Sequence, residues 1–80
     1  MNFFELGARI KVSRKGTEVT KVTVMEVMED GGILAEDNFN PDRVVIFHYL
    51  DYLGCWVANP LGEIGGLFNP NFHYMLGFAG

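Results

Sequence analysis

Apolar and polar residues alternate along most of this chain with the period of a strand. Ala8-Arg9-Ile10-Lys11-Val12 steps between apolar and basic at every second position, so Ile10 and Val12 should face a core and Arg9 and Lys11 solvent. Arg14-Lys15-Gly16 reads as a turn. The next segment, Glu18 to Met28, holds Val19, Thr20, Val22, Thr23, Val24 and Val27. Their branched, stiff side chains favour a pleated strand, with a helix the lesser reading. Val22 and Val24 fall on one face, but Val19, Met25 and Val27 fall on the other. A bulge or a strong bend reconciles the two sets.

Glu29-Asp30-Gly31-Gly32 marks a hairpin turn, and Ile33-Leu34-Ala35-Glu36 a short strand after it. Residues 37–42 read as a loop. Arg43 to Tyr49 is apolar on both faces, the pattern of a strand flanked on either side. Cys55-Trp56-Val57-Ala58 reads as another strand, closed by Asn59-Pro60. Beyond Leu61, glycines interrupt a run of large apolar residues, which predicts turns and one strand around Phe72–Leu76. At the start, Asn2 as a cap with Glu5 three residues on predicts a short helical turn that Gly7 stops. The expected fold is mainly β: a small barrel, or a strongly bent antiparallel sheet, with a short N-terminal helical turn, in a single domain over 1–80.

Gly7-Ala8-Arg9-Ile10-Lys11-Val12, the turn at Gly16, the valine-rich strand and Asp30-Gly31-Gly32 resemble the cadence of SH3-like small barrels of the KOW or Tudor type. The resemblance covers about residues 7–50 and implies a fold class, with no functional residue carried over. Two features depart from it. The chain is acidic, where nucleic-acid-binding barrels of that kind present a basic face, and the apolar, glycine-rich last third has no counterpart. There is also an internal echo. Phe39-Asn40-Pro41 leads to Phe47-His48-Tyr49, and Phe68-Asn69-Pro70 leads to Phe72-His73-Tyr74. Two similar turns into two similar strands explain this without a duplication.

Eighty residues make one core, and a chain this short hides only about 60% of its unfolded surface. Cys55 is the only cysteine, which rules out an intrachain disulfide and fits a reducing compartment. No paired Cys and His spacing for zinc occurs, and no basic leader or membrane-length apolar run is seen. A cytoplasmic protein without cofactor or metal, and with no membrane role, is the expectation. The net charge of −4 arises entirely in residues 31–80, where Arg43 stands against five acids. That excess argues against nucleic acid as a general partner.

Catalytic constellations are weak. Cys55 lies between apolar neighbours, as a buried thiol would, and Ser13 lacks a nucleophile-elbow pattern. His48, His73, Asp51 and Cys55 could meet around a metal only if the two Phe-His-Tyr segments pair and the chain kinks after Tyr49. Glu29-Asp30 and Glu36-Asp37 are adjacent acids that a strand would point apart. Gly62-Glu63-Ile64-Gly65-Gly66 lacks the lysine of a phosphate loop. These absences lead to the expectation of a non-enzymatic protein.

Two surfaces remain. Arg9, Lys11, Arg14, Lys15 and Lys21 form a basic run that reads as a solvated stripe or a local anion site. The aromatic content is high, with seven Phe, three Tyr and one Trp. Part of Tyr49, Tyr52, Trp56, Phe68, Phe72, Tyr74 and Phe78 is expected to meet another chain, unless these rings make a dense core. Glu36, Asp37, Asp42 and Asp51 would steer such contacts towards a basic surface. The leading expectation is a protein-interaction domain that self-associates or docks on a larger protein. It is similar in style to phage- or mobile-element-encoded inhibitors and assembly proteins. A barrel mouth lined by Arg43, His48, Tyr49, Tyr52 and Trp56, binding a nucleotide-like ligand, is the alternative.

Overall fold

The structure, a computed structural model, describes residues 4–61 and 67–79. Six strands follow one another: β1 (Arg9–Arg14), β2 (Thr17–Val27), β3 (Ile33–Asp37), β4 (Asn40–Leu50), β5 (Cys55–Leu61) and β6 (His73–Phe78). Each pairs antiparallel with the next, and β6 returns to pair with β1, closing the barrel. Closure gives every strand two neighbours, the usual remedy for an exposed sheet edge. This small closed antiparallel barrel is consistent with an SH3-like small barrel.

β2 bends as its split pattern requires. Val24 pairs with Ala35 and Glu26 with Leu34, so Met25 is an extra residue, and Val19 is extra against β1 between Thr20 and Glu18. The two bulges keep Thr20, Val22 and Val24 inside and turn Met25 and Val27 out. The β1–β2 hairpin turns on Lys15 (φ 55°) and Gly16 (φ 83°), a two-residue turn with both residues left-handed. Between β2 and β3, a Cβ on Gly32 would come to 3.0 Å from the Phe47 carbonyl oxygen and from His48 Nδ1, so a side chain there would have to push its neighbours aside.

Three boundaries differ from the sequence reading. The loop expected over 37–42 is a tight turn at Asn38 and Phe39, with strand on both sides. The polar residues there are absorbed by a wide irregularity: Glu36 pairs with Val44 and Asp37 with Asn40, leaving 41–43 bulged from the ladder. Pro60 does not close β5. β5 pairs with β6 only at Trp56 and Val57, so Pro60 sits beyond that seam, where a missing N–H is tolerated. The helical turn expected near the start is not formed among the described residues. Glu5 to Ala8 makes one turn, with the Ala8 N–H donating to the Glu5 carbonyl (3.0 Å), while the Asn2 cap lies outside those residues.

The barrel interior collects Ile10, Val12, Val22, Val24, Ile33, Ala35, Val45 and Phe47. Full burial of each larger side chain contributes about 1.5–3 kcal/mol. Phe47 stands edge-on to Phe68 (5.5 Å) and Tyr74 (6.4 Å). The Tyr74 hydroxyl accepts the Asn69 N–H at 2.9 Å, which satisfies its polar tip and pins the segment entering β6. Phe4 packs on Trp56 (6.0 Å) and Phe78 (5.0 Å) and plugs one end. The echoed segments enter the barrel in opposite phase: Phe47 is buried and Phe72 exposed, Tyr74 buried and Tyr49 half-buried.

Candidate functional site: two unlike ends of the barrel

An antiparallel meander sends alternate turns to opposite ends. The β2–β3 turn (28–32), the β4–β5 turn (51–54), the segment leading into β1 and the finish of β6 share one end. The β1–β2 turn, the β3–β4 turn and the approach to β6 share the other.

The first end is acidic and apolar. Glu29 and Asp30 occupy one turn, Asp51 the other, and Glu5 the leading segment, all exposed. Beside them, Tyr52 is 81% exposed, Leu53 50%, Leu6 70% and Phe78 61%. The β4–β5 turn is locally well made: the Leu53 and Gly54 N–H groups both donate to the Leu50 carbonyl, and Gly54 takes φ 68°. Asp51, Tyr52 and Leu53 therefore project from a fixed backbone.

The expected interface set divides. Tyr52, Phe72 and Phe78 are exposed and Tyr49 is half-buried, with its ring 5.0 Å from Trp56. Trp56, Phe68 and Tyr74 are core residues, only 5%, 7% and 1% exposed. They were misread because a single barrel with room for Phe47, Phe68 and Tyr74 in edge-on contact hides more ring surface than residue counting suggests.

The expected steering acids divide as well. Asp42 and Asp51 are exposed and Glu36 half-buried. Asp37 is 1% exposed and cannot steer anything. Its Oδ1 accepts from the Thr20 hydroxyl (2.9 Å) and the Phe39 N–H (3.0 Å), and its Oδ2 lies 3.6 Å from Arg43 Nη1. It is a structural carboxylate that ties β2, the β3–β4 turn and β4 together.

The nucleotide-like mouth is not assembled. Tyr49 and Trp56 touch, but Arg43 is engaged with Asp37 six residues earlier on β4, roughly 20 Å away along the strand. His48 Nδ1 lies 3.8 Å from Asp30 Oδ2, on the outside. The metal set is not gathered either. His48 pairs with Val57 and Val57 with His73, so the histidines are separated by a whole strand. Among the described residues no group of three His, Cys, Asp or Glu side chains could hold a metal ion.

Two residues of the basic run that reads as a solvated stripe or a local anion site, Arg14 and Lys15, come together with residues no sequence pattern joins to them. Arg14, Lys15, Cys55, Asn71, Phe72, His73 and Met75 line a cleft of about 410 Å³. The Arg14 guanidinium carbon lies 3.6 Å from the Phe72 ring centroid, a cation stacked on an aromatic face. The lining comes from three distant stretches of chain, so no local spacing announces it. The basic run continues along the outside. Lys11 and Lys21 face each other across β1–β2, and Lys21 donates to Glu18 at 2.8 Å. Arg9 donates to the Asn38 side-chain oxygen at 3.1 Å once that amide is oriented to suit Thr23 and Arg9 together. The Lys21 hydrogen bond holds the Glu18 carboxyl below the ordinary glutamate range, aided by the charges of Lys21 and Lys11.

No helix among the described residues is long and apolar enough to cross a membrane. No protein-family model matches the chain, and no curated protein or solved structure does.

Proposed function

We propose that the chain is a non-enzymatic interaction domain that docks on a basic surface of a larger protein through the acidic, apolar end of its barrel. The observation that carries this reading is the β4–β5 turn. It holds an acid, a tyrosine and a leucine side by side in solvent on a pinned backbone, although the same barrel hides Trp56, Phe68 and Tyr74 completely enough. A core with that capacity leaves no need to expose Tyr52 and Leu53 for want of room. Exposed tyrosine beside apolar neighbours is the usual make-up of an interface anchor. Glu29, Asp30 and Asp51 around it have no lysine or arginine in the same turns, so they would speed encounter with a basic partner.

The KOW and Tudor cadence contributes only its architecture to this reading. A short acidic barrel working by contact is in the style of a phage- or mobile-element-encoded inhibitor or assembly protein, acting in a reducing, cytoplasmic setting. Self-association through the same end is the competing form of the hypothesis.

The test compares the wild type with a Tyr52→Ser, Leu53→Ser double variant in affinity capture, with sedimentation at several concentrations. Both sites are exposed, so the variant should fold with stability within about 0.5 kcal/mol of wild type. Loss of one specific larger protein from the variant's captured set supports docking. Identical captured sets from the two proteins, with identical sedimentation, would overturn it.

A further inference from the structure

We propose that the cleft beside the β1–β2 turn binds the phosphate monoester of a small flat organic molecule, a mononucleotide in size and chemistry. This site is a cleft separate from the exposed Tyr52 and Leu53 side chains and does not rest on the docking reading, although Cys55 in its lining directly follows the 51–54 turn.

The charge of the cleft is one-sided. Arg14 and Lys15 supply two cations, His73 stands exposed at the lining, and among the described residues no carboxylate lines the space. Neither Arg14 nor Lys15 makes an ion pair among the described residues, whereas Lys21 and Arg43 do. The Arg14 guanidinium sits over the Phe72 ring, 3.6 Å from its centroid, and a guanidinium so placed can still donate to an oxyanion through its N–H groups. Small-molecule pockets run from roughly 300 to 1,000 Å³, so a volume of about 410 Å³ admits an organic group beside the phosphate. Phe72 and Met75, 37% and 54% exposed, give that group an apolar wall.

Lys15 adds an independent argument. It is the only non-glycine among the described residues with positive φ, at 55°. A two-residue turn of this kind takes Asn or Gly first with less strain. Here the strained position carries an ammonium that lines the cleft, which suits a binding role. A small ester is favoured over a nucleic-acid strand because a strand must run beyond the cleft. The chain carries −4 overall, which works against a polyanion as a general partner.

The experiment is a titration of the isotopically labelled chain with AMP, inorganic phosphate, adenosine and a short oligonucleotide, followed by amide NMR shifts. AMP should move the resonances of Lys15, Gly16, Asn71, Phe72 and His73, binding about tenfold tighter than inorganic phosphate, with adenosine inert. Lys15→Asn relieves the backbone, so it should melt no lower than wild type while weakening AMP about fivefold or more. Four results would each overturn the proposal. These are no shifts at those residues with AMP at about 10 mM, unchanged affinity in Lys15→Asn, shifts from adenosine equal to those from AMP, or binding confined to an oligonucleotide.

Discussion

Replacing Asp37 by alanine should remove a measurable share of this barrel's stability. Asp37 is the buried carboxylate of the core region, 1% exposed, and it accepts from a buried hydroxyl and a backbone N–H. Removing a buried acceptor costs about 1–3 kcal/mol for each buried donor left without a partner. Thr20, 4% exposed, cannot recover its bond from water, whereas the Phe39 N–H sits at an exposed turn and can. Arg43, whose side chain is 32% exposed, regains solvent, so its 3.6 Å ion pair adds at most about 1 kcal/mol. The sum is a loss of about 1–4 kcal/mol, against a total stability of roughly 4–12 kcal/mol for a chain of this length. Asp37→Asn keeps the shape and one acceptor and should lose less than half as much. A Thr20→Val, Asp37→Val pair removes both polar partners and should recover part of the Asp37→Ala loss, since an apolar pair leaves no stranded hydroxyl. Urea unfolding followed by the fluorescence of Trp56, the single and buried tryptophan, reads all three. The reasoning fails if Asp37→Ala unfolds within about 0.5 kcal/mol of wild type. It also fails if the double variant is no more stable than Asp37→Ala.

Phe47→Ala should cost about 3–5 kcal/mol, because it empties the centre of the ring cluster, while Phe39→Ala at a 73% exposed position should be close to neutral; paired urea curves separate them. Tyr74→Phe keeps the packing but strands the Asn69 N–H, and a loss of about 1–2 kcal/mol with faster amide exchange at Asn69 is expected. The Glu18 carboxyl should titrate by NMR below the ordinary glutamate range, and Lys21→Ala should return it upward. Because its folded value is depressed, its contribution to stability is present at neutral pH and disappears as pH falls through that depressed value.

Strand positions were legible because period-two alternation is local: Ile10 and Val12 against Arg9 and Lys11 name their faces within five residues. The split valines of β2 even announced the bulge at Met25. Other features depend on pairing between distant segments. Asp37 reads as a loop acid until β2 supplies Thr20 and β4 supplies Arg43. Trp56, Phe68 and Tyr74 read as anchors until closure of β6 on β1 encloses them. Tyr52 and Phe78 were picked out with them, yet nothing in composition separates an exposed ring from a buried one. The cleft of Arg14, Lys15 and Phe72 joins residues almost sixty positions apart; the sequence marks only its basic side, as part of the run from Arg9 to Lys21, and not Phe72.

The docking reading meets its most direct test in hydrogen exchange of the chain, free and bound to the partner protein that its wild-type form captures. Slowed exchange confined to the backbone of residues 28–32 and 51–54 and the segment before β1 is the expected pattern. Protection that spares those turns and falls on the outer faces of the strands or the Arg14 end would contradict it.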